Sequence, residues 1–301
     1  MLISGVKQQK KDIKSLQDLN VYKLVPRSTV PPGQKVIGTK WVFKAKAYQT
    51  YRWRLVAQGW NQVPGQDCGS TFAQVCRLQC VRVVLAIAAQ MDWEVRQLDV
   101  KTAFLYADIE EEVFVAQPPR FETNDNEKGL LVMKPRKSLY GVTQSPGNWF
   151  HTIDPVLISI GLVPLKSDTC IYIYNHDGVI IILTLYVDDP LVIGGDIQLT
   201  QKINGKLMEK FKMTDMGDVS LLLGMQITRD REKETLTISE EEYTKSILER
   251  FIVANCKPVG TPAFCSELST KQPEETLLSI EETQSYEAIT GPVMYLAQIF
   301  T

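Results

Sequence analysis

The sequence contains no apolar run long enough to cross a membrane. The longest run, GVIIILTLYV, is about ten residues, roughly half of what a bilayer-spanning helix requires. The first residues, MLISGVKQQKKDIK, have no apolar core ahead of their charges, so no signal peptide is predicted. With 44% hydrophobic and 23% charged residues, the composition is typical of a soluble globular protein. We therefore expect an intracellular protein, cytoplasmic or nuclear, without a membrane partner.

Cysteine and histidine are scarce, with six and two residues among 301. So few cysteines do not form a disulfide scaffold in a chain of this length, and we expect reduced thiols and no disulfides. Cys76 and Cys80 could share a helix face, but no second cysteine or histidine pair follows at zinc-binding spacing. The sequence therefore argues against a zinc module.

Charge is unevenly distributed along the chain, although the net charge is only -2. Residues 1–60 contain twelve Lys/Arg and two Asp/Glu, which leaves 21 of the 33 basic and 33 of the 35 acidic residues for the remainder. A basic first fifth on an acidic body suits a protein that holds a polyanion in one part and metal ions in another. A solvated basic surface is the simpler alternative.

Apolar spacing predicts an α+β fold, because helices and antiparallel hairpins alternate irregularly. A short helix is expected over residues 11–25, followed by a Pro-rich connector and a hairpin whose strands are joined through YQT. Later strands are expected around the turns NHDG and DD. The expected longer helices are RLQCVRVVLAIAAQM, NWFHTIDPVLISIGL closed by Gly161, IQLTQKINGKLMEKFKM, and the end of ETLTISEEEYTKSILERF.

Two adjacent carboxylates, Asp188 and Asp189, lie between the apolar segments IILTLYV and PLVIGG. Asp favours turns, so a structural role is the simple explanation. Two like charges on a rigid hairpin tip nevertheless repel unless a cation or proton intervenes. Asp99 ends another strand, EVRQL, just before a turn. If the strands are neighbours in one sheet, three carboxylates meet at one edge and could hold two metal ions for phosphoryl transfer.

A longer set of motifs surrounds these carboxylates. The chain contains, in order, KWVFK, RLVAQG, QLDVKTAFLYADIEEEVFVAQPPRF, KSLYGVTQSPGNWF, SDTCIYI, LYVDD, LLLGMQI and CKPVGTP. This ordered set resembles the reverse transcriptase region of copia-type retrotransposon Pol polyproteins over roughly residues 20–265. The resemblance divides the chain into a lead-in at 1–19, a fingers/palm domain at 20–265, and a truncated thumb/connection segment at 266–301.

The resemblance implies a right-hand polymerase, with fingers, an antiparallel palm sheet and an incomplete thumb, that copies RNA or DNA by nucleotidyl transfer. Its partners would be a template, a primer and deoxynucleoside triphosphates, and it would normally form part of a larger polyprotein. Its cofactors would be two Mg²⁺ ions, with Mn²⁺ as a substitute. By position, the catalytic residues would be Asp99, Asp188 and Asp189. Asp99 and Asp188 would bridge the metals, and the Val100 carbonyl would be a further ligand.

The same resemblance assigns residues to the nucleotide and the primer. Arg52 and Arg54 match fingers residues that grip the incoming triphosphate, which suits the two-pronged guanidinium. Phe104 matches the aromatic that closes under the sugar and disfavours a 2′-hydroxyl, although a core aromatic is an alternative. The remaining matches are Tyr140, Gly141 and Gln144 at the nucleotide pocket, and Leu223 and Gly224 as primer-grip residues, for which a structural role is the first alternative.

Several positions differ from the family pattern. Pro190 replaces an apolar residue that has a backbone N–H, and the fingers hairpin is about five residues shorter, without its Asp-Gly turn. Gln74 stands at a usual proline, Arg120 at a glycine, and Thr143 and Gly147 at basic residues. The sequence also ends where a thumb would continue. These differences favour, as an alternative, an inactive transposon relic that keeps the fold and binds nucleic acid through its basic hairpin.

A third hypothesis is another two-metal phosphotransferase, such as a nuclease or a cyclase on a similar sheet. It rests on the carboxylates alone, and the motifs outside them count against it.

Overall fold

The computed structural model describes residues 2–46, 50–69, 71–125, 129–258, 260 and 278–300. The chain forms two compact units, Met1–Asp218 and Val219–Thr301. Helices and mainly antiparallel strands are mixed in an irregular order, as the expected α+β class requires. Within the described residues, no helix combines the length and the apolar character needed to cross a membrane.

Six α-helices are described. Their bounds are α1 Leu2–Asp18, α2 Leu78–Gln90, α3 Ser145–Ile160, α4 Ile197–Lys210, α5 Glu241–Arg250 and α6 Ile280–Phe300. Local chemistry explains several of their ends. The Asp196 carboxylate caps α4 by accepting the Leu199 N–H at 2.9 Å. α3 ends at Gly161, whose φ of 102° is the left-handed conformation that glycine adopts without strain.

Sixteen strands are described. Their bounds are β1 Tyr22–Pro26, β2 Val36–Ile37, β3 Thr39–Lys46, β4 Thr50–Ala57, β5 Glu94–Val100, β6 Phe114–Val115, β7 Asn124–Asp125, β8 Gly129–Pro135, β9 Val163–Pro164, β10 Ile171–His176, β11 Val179–Thr184, β12 Leu191–Gly194, β13 Met213–Asp218, β14 Leu221–Leu222, β15 Met225–Asp230 and β16 Thr235–Ser239. All described pairs are antiparallel except β2 with β6.

The largest sheet, here called the central sheet, has six strands in the order β13-β5-β12-β11-β10-β9. β12 is buried along its whole length, and β11 is buried from Ile181 to Thr184. This burial explains why the two strands are continuous apolar runs rather than alternating ones. β5 lies inside the sheet, between β12 and β13, so its last residues are fixed from both sides.

A second sheet joins β1, β8, β6 and β2, with β7 added to β8. Beside it, β3 and β4 form a two-stranded hairpin in register from Thr39↔Ala57 to Lys46↔Thr50. The hairpin predicted from KWVFK and RLVAQG is confirmed, whereas most of the YQT connection lies outside the described residues. α1 packs on β4, where the Leu55 N–H donates to the Asp12 carboxylate at 2.8 Å.

The second unit contains the sheet β14-β15-β16 together with α5 and α6. β14 and β15 are joined by the two residues Leu223 and Gly224, because Leu222 pairs with Met225. Both connecting residues have positive φ, 53° and 89°, which is the pattern of a type I′ hairpin turn.

One sequence expectation is wrong. The short helix expected over residues 11–25 ends at Asp18, and Tyr22–Pro26 forms strand β1 instead. β1 pairs with β8 along its whole length, from Tyr22↔Pro135 to Pro26↔Leu131. A partner more than a hundred residues away supplies these backbone hydrogen bonds, and local helical spacing cannot reveal it.

Candidate active site

Asp99 is the second-last residue of β5 and lies half-buried inside the central sheet. On one side it pairs with Thr214 of β13. On the other side, the ladder between β5 and β12 continues past Leu191 into the turn. The Leu98 N–H donates to the Pro190 carbonyl and the Val100 N–H to the Asp188 carbonyl, both at 2.9 Å. These bonds fix the end of β5 against the aspartate pair.

The same bonds define the register of the three carboxylates. Leu98 faces Pro190 and Val100 faces Asp188, so Asp99 faces Asp189 at the position between two hydrogen-bonded pairs. At such a position in an antiparallel ladder, opposite Cα atoms are about 4.5 Å apart and their side chains are close. Asp188 is one residue away, and all three carboxylates are half-buried. The three predicted catalytic residues therefore lie together where β5 ends and β12 begins. We call this end of the central sheet, formed by Asp99, Asp188 and Asp189, the carboxylate edge.

Pro190 is compatible with this ladder. It is buried immediately before β12 and keeps its carbonyl as an acceptor for Leu98. Its missing N–H removes one donor, which is the cost expected for proline at the start of a strand. The register is unchanged beyond it, where Leu191 pairs with Gln97.

The turn that carries the aspartates is strained. The Asp189 N–H donates to the Tyr186 carbonyl at 3.0 Å, which closes a four-residue turn. Its first central residue, Val187, has φ of 53°. A β-branched residue at positive φ is a genuine outlier, and such outliers concentrate at functional sites. The Val187 carbonyl accepts the indole N–H of Trp149 at 2.7 Å.

Carboxylate oxygens suit hard divalent cations, and three of them at one edge provide the right donor chemistry. In the described part of the chain, however, no group of three or more acidic, histidine or cysteine side chains is gathered as a metal site. The backbone thus brings the donors together, while their side chains would have to rotate toward a shared ion.

The nucleotide-binding candidates form a second cluster, the Arg54–Tyr140–Phe104 stack. The Arg54 guanidinium carbon lies 4.1 Å from the centre of the Tyr140 ring, a cation–π contact. The Tyr140 and Phe104 ring centres are 5.0 Å apart. Phe104 sits on a short 3₁₀ helix, Ala103–Tyr106, immediately after β5. Three predicted residues from distant parts of the sequence therefore meet. One of them, Phe104, follows Asp99 closely in the chain.

Arg54 carries a further signal. Its Nε is buried and has no hydrogen-bond partner among the described residues. An unpaired buried donor costs about 1–3 kcal/mol, so an anionic oxygen at this point would be stabilised. The backbone of Arg52 lies on the same strand, paired with Lys44, but its side chain lies outside the described part of the structure.

Gly141 joins the stack to the end of β4. The Ala57 N–H donates to the Tyr140 carbonyl at 2.8 Å, and the Gly59 N–H donates to the Gly141 carbonyl at 3.1 Å. Gly141 has φ of 86°, and a Cβ there would overlap the Ala57 carbonyl. A Cβ at Gly59 would overlap the Gly141 carbonyl in turn. Only glycine permits this close approach of two backbones.

Gln144 is buried rather than open to a ligand, since only 1% of the residue is exposed. Its amide group donates to the Asp67 carbonyl and to the Glu111 carboxylate, both at 3.2 Å, and its oxygen accepts the Gln62 amide at 3.0 Å. Gln62 also accepts the Thr143 N–H at 2.8 Å. In this conformation Gln144 fixes the loop that carries Tyr140 and Gly141.

The primer-grip candidates Leu223 and Gly224 form the hairpin turn of the second unit. Leu223 is half-buried and Gly224 is exposed. The Tyr295 hydroxyl of α6 donates to the Leu223 carbonyl, and the Tyr295 ring contacts Tyr243 of α5 with ring centres 5.2 Å apart. The turn is therefore fixed by a helix of its own unit.

The buried thiols near the hairpin are unsuited to nucleophilic chemistry. Burial, with the nearby Asp168 carboxylate as a second cause, raises the pKa of the Cys170 thiol to about 12. The same two causes raise the pKa of the Cys76 thiol further. Because the thiolate is the reactive form, both groups remain inert at neutral pH.

Two residues with structural roles at the site were not singled out from the sequence, Trp149 and Gln62. Both lie in quoted or neighbouring motif segments, but their roles depend on partners far along the chain. Among the positions that differ from the family pattern, Arg120 has φ of 72°, a left-handed conformation that favours glycine. A Cβ at Gly147 would lie 3.0 Å from the Phe72 carbonyl oxygen, so a larger residue there requires the neighbouring backbone to move.

Comparisons with known proteins identify the family of the chain. The model of a family described as "Reverse transcriptase (RNA-dependent DNA polymerase)" matches residues 19–265. The chain is 39% identical over 302 aligned positions to the Retrovirus-related Pol polyprotein from transposon TNT 1-94 of Nicotiana tabacum, covering 96% of this chain and 22% of that protein. It is 34% and 33% identical to the Pol polyproteins from transposons RE2 and RE1 of Arabidopsis thaliana, covering 89% of this chain and 18% of each.

The chain thus spans about a fifth of the length of these curated relatives. The family match covers most of the chain and includes the carboxylate edge, the Arg54–Tyr140–Phe104 stack and the hairpin turn of the second unit. From this match and from the identity to plant transposon polyproteins, we conclude that the chain belongs to the reverse transcriptase (RNA-dependent DNA polymerase) family.

Proposed function

We propose that this chain is an RNA-directed DNA polymerase domain that extends a primer at the edge formed by Asp99, Asp188 and Asp189. The observation that carries the proposal is the ladder Leu98–Pro190 and Val100–Asp188, which brings residues from separate motifs into one register. Its substrates are deoxynucleoside triphosphates, and its partners are an RNA or DNA template and a primer. It acts as part of a larger polyprotein, since its relatives are Pol polyproteins.

In this proposal the three aspartates, with the Val100 carbonyl, hold two Mg²⁺ ions, and Mn²⁺ can substitute. The donors fit hard cations, and all three residues are half-buried rather than fully enclosed. When bound, the ions lower the pKa of the primer 3′-hydroxyl and neutralise charge on the triphosphate. Asp99 and Asp188 would be the main ligands of the ions, while Asp189 lies across the ladder from Asp99.

The Arg54–Tyr140–Phe104 stack orients the nucleotide. Arg54 binds the triphosphate together with Arg52. The Tyr140 ring orients the Arg54 guanidinium, and the buried Arg54 Nε would gain a hydrogen bond to a phosphate oxygen. Phe104 packs under the sugar and disfavours a 2′-hydroxyl. Tyr140 and Gly141 shape the pocket wall, and Gln144 keeps their loop in place. Positioning and charge compensation, rather than covalent chemistry, do most of the work in phosphoryl transfer.

The parts of a right-hand polymerase are assigned accordingly. The β3–β4 hairpin is the fingers hairpin and the central sheet is the palm. The second unit contains the primer grip, at Leu223 and Gly224, and the beginning of a thumb. The basic residues of the first sixty positions attract the phosphate backbone.

Primer extension on an RNA template tests the proposal. With Mg²⁺ or Mn²⁺, the unaltered chain is expected to extend a labelled DNA primer, and Asp188→Asn is expected to reduce the rate by about 10²–10³-fold, the effect of losing one electrostatic contact to a transition state. Asp177→Asn is the matched control, because it makes the same change at an exposed position next to the opposite end of strand β11, which leads to the turn that carries Asp188.

Equal extension rates for Asp188→Asn and Asp177→Asn would overturn the proposal. Absence of extension by the unaltered chain with either metal would also overturn it for this chain. Binding of RNA that falls with salt and with Arg54→Gln, without any extension, would instead support the relic hypothesis.

A further inference from the structure

The aspartate turn contains a conformation that its own sequence does not favour. Val187 has φ of 53°, and neither glycine nor asparagine occurs among Tyr186, Val187, Asp188 and Asp189. Left-handed backbone is unfavourable for an L-residue and more so for a β-branched one. The surrounding structure must therefore impose this conformation.

The contact that imposes this conformation comes from helix α3. The Trp149 indole N–H donates to the Val187 carbonyl at 2.7 Å, a short distance for an N–H donor. Trp149 is 1% exposed, so the bond is shielded from water. Flipping the peptide after Val187 would turn its carbonyl away and leave a buried indole N–H unpaired, which is unfavourable.

Trp149 is itself held by Phe211 and Tyr106, with which it forms an aromatic cluster. The Trp149 and Phe211 ring centres are 5.0 Å apart, those of Phe211 and Tyr106 are 5.4 Å apart, and those of Trp149 and Tyr106 are 6.4 Å apart. Both contacts with Phe211 are edge-to-face, a favourable geometry. These ring contacts therefore fix the position of the indole next to the turn.

The cluster also reaches the strand of Asp99. The Tyr106 hydroxyl accepts the Lys212 N–H at 2.9 Å, and the Lys212 carbonyl accepts the Lys101 N–H at 2.8 Å. Lys101 follows β5, and Tyr106 ends the 3₁₀ helix that carries Phe104. One aromatic cluster is thus bonded to the aspartate turn through Trp149 and to the end of the Asp99 strand through Tyr106.

We propose that Trp149 is a positioning residue for the carboxylate edge. Its indole N–H holds Val187 in the left-handed conformation, and this sets where Asp188 and Asp189 stand relative to Asp99. The role belongs to the N–H and not to the bulk of the ring. The inference rests on the proposed function only for its effect on metal binding, because the effect on the Val187 backbone requires neither metal nor turnover.

Four variants separate the N–H from packing. Trp149→Phe keeps an aromatic ring and removes the donor. Val187→Gly supplies a residue that adopts positive φ without strain, and the double variant combines the two changes. Trp93→Phe is the matched control, since Trp93 directly precedes β5 at the end opposite to Asp99.

The first measurement is the one-bond Cα–Hα coupling of Val187 by NMR on the metal-free chain, which separates positive from negative φ. We expect positive φ in the unaltered chain and in Trp93→Phe, and a shift toward negative φ in Trp149→Phe. Retention of positive φ in Trp149→Phe would overturn the inference, whatever the chain does with metal or nucleic acid.

The second measurement is the Kd for Mn²⁺ by electron paramagnetic resonance, with Asp99→Asn defining binding at the edge. Loss of a residue that orients metal ligands typically weakens metal affinity 10–100-fold. We expect Trp149→Phe to raise Kd about tenfold, the double variant to return to within about threefold of the unaltered chain, and Trp93→Phe to change it less than about twofold.

A double variant as weak as Trp149→Phe would show that ring packing is responsible, which contradicts the inference. If Asp99-dependent Mn²⁺ binding occurs but no primer is extended, the proposed function fails while the positioning role stands. If Mn²⁺ does not bind at the edge of the unaltered chain, the claim that Trp149 serves a metal-holding edge is overturned together with the proposed function.

Discussion

Strand β11 begins at a turn that its local sequence explains and ends at one that it does not. At its start, His176 pairs with Val179, so the turn is Asp177-Gly178, with φ of 52° and 79°. Asp-Gly is among the preferred sequences for such a type I′ turn. At its end, Val187 adopts φ of 53° without a residue that favours it. Nearly the same backbone angle thus arises by two routes.

The difference lies in where the stabilisation comes from. At Asp177-Gly178 the residues themselves accept the conformation, and both are exposed. At Val187 a buried indole from α3 holds the carbonyl in place. A turn that depends on a distant side chain can be coupled to the rest of a site, whereas a turn that depends on its own residues cannot. The Asp177-Gly178 turn therefore only connects two strands, whereas the Val187 turn also positions the candidate catalytic residues Asp188 and Asp189.

The turn of the second unit is intermediate. Leu223 has φ of 53° in a two-residue connection, followed by a glycine that favours the turn. Its carbonyl accepts an aromatic hydroxyl, that of Tyr295, much as the Val187 carbonyl accepts the Trp149 indole. If the primer-grip assignment is correct, this resemblance has the same origin: a backbone presented to a substrate is fixed by a side chain from outside the turn.

The largest stability effect within this comparison is expected at the connecting turn. Gly178→Ala introduces a Cβ that meets no atom within 4 Å, so its cost is conformational, about 1–2 kcal/mol for left-handed backbone. Gly205→Ala is the control, because Gly205 lies in helix α4 and alanine there is expected to stabilise by about 0.5–1 kcal/mol. Urea unfolding measures both changes.

Primer extension by Gly178→Ala should equal that of the unaltered chain once both are folded. A selective loss of extension would break the distinction between the two ends of β11, since it would make the connecting turn part of the site.

An effect of about 1 kcal/mol is expected for Tyr295→Phe, which removes the hydroxyl that bonds the Leu223 carbonyl. Hydrogen exchange at the amides of β15 reports the loss within the second unit. If the turn also grips the primer, the Kd for a primer–template duplex rises as well. Weaker stability with unchanged duplex affinity would leave Leu223 with a structural role alone.

The smallest effect is expected for Asp177→Asn, within about 0.5 kcal/mol of the unaltered chain by urea unfolding. Asn-Gly suits a type I′ turn as well as Asp-Gly. The substitution also removes the contact between the Asp177 carboxylate and the His176 ring, whose side chains are 87% and 69% exposed, so little is lost. A loss above 1 kcal/mol would mean that this turn, too, depends on contacts beyond its own two residues.

The sequence predicted most local elements of this fold. Apolar spacing identified α2, α3 and α4, and Gly161 identified the end of α3. The hairpins β3–β4 and β10–β11 followed from alternating or apolar runs around short turns. In each case the information lies within some fifteen consecutive residues, which is the range over which periodicity and turn chemistry act.

The features that were missed depend on distant partners. β1 forms because β8 supplies its hydrogen bonds. The parallel contact between β2 and β6 joins segments more than seventy residues apart. Burial of Gln144 could not be predicted from local sequence, because it depends on hydrogen bonds with Gln62, Asp67 and Glu111.

For the candidate site, the motifs predicted the residues and the structure shows their register. The resemblance named Asp99 and the Asp188–Asp189 pair, and the ladder shows which residue faces which. Trp149 lay within a quoted motif, yet its role could not be predicted, because it rests on one bond to a carbonyl 38 positions away. Residue identity alone does not specify a backbone acceptor.

The close approach of Gly59 and Gly141 restricts how this domain can change by mutation. At each position an added Cβ would overlap a backbone carbonyl, which no second substitution can shrink; at Gly141 it would also overlap the Val56 side chain. Neither glycine can therefore be replaced first and compensated later, and the pair forms a mutational dead end. A substitution at either glycine forces the Tyr140–Gly141 segment and the end of β4 apart, whatever changes have accumulated at surface positions.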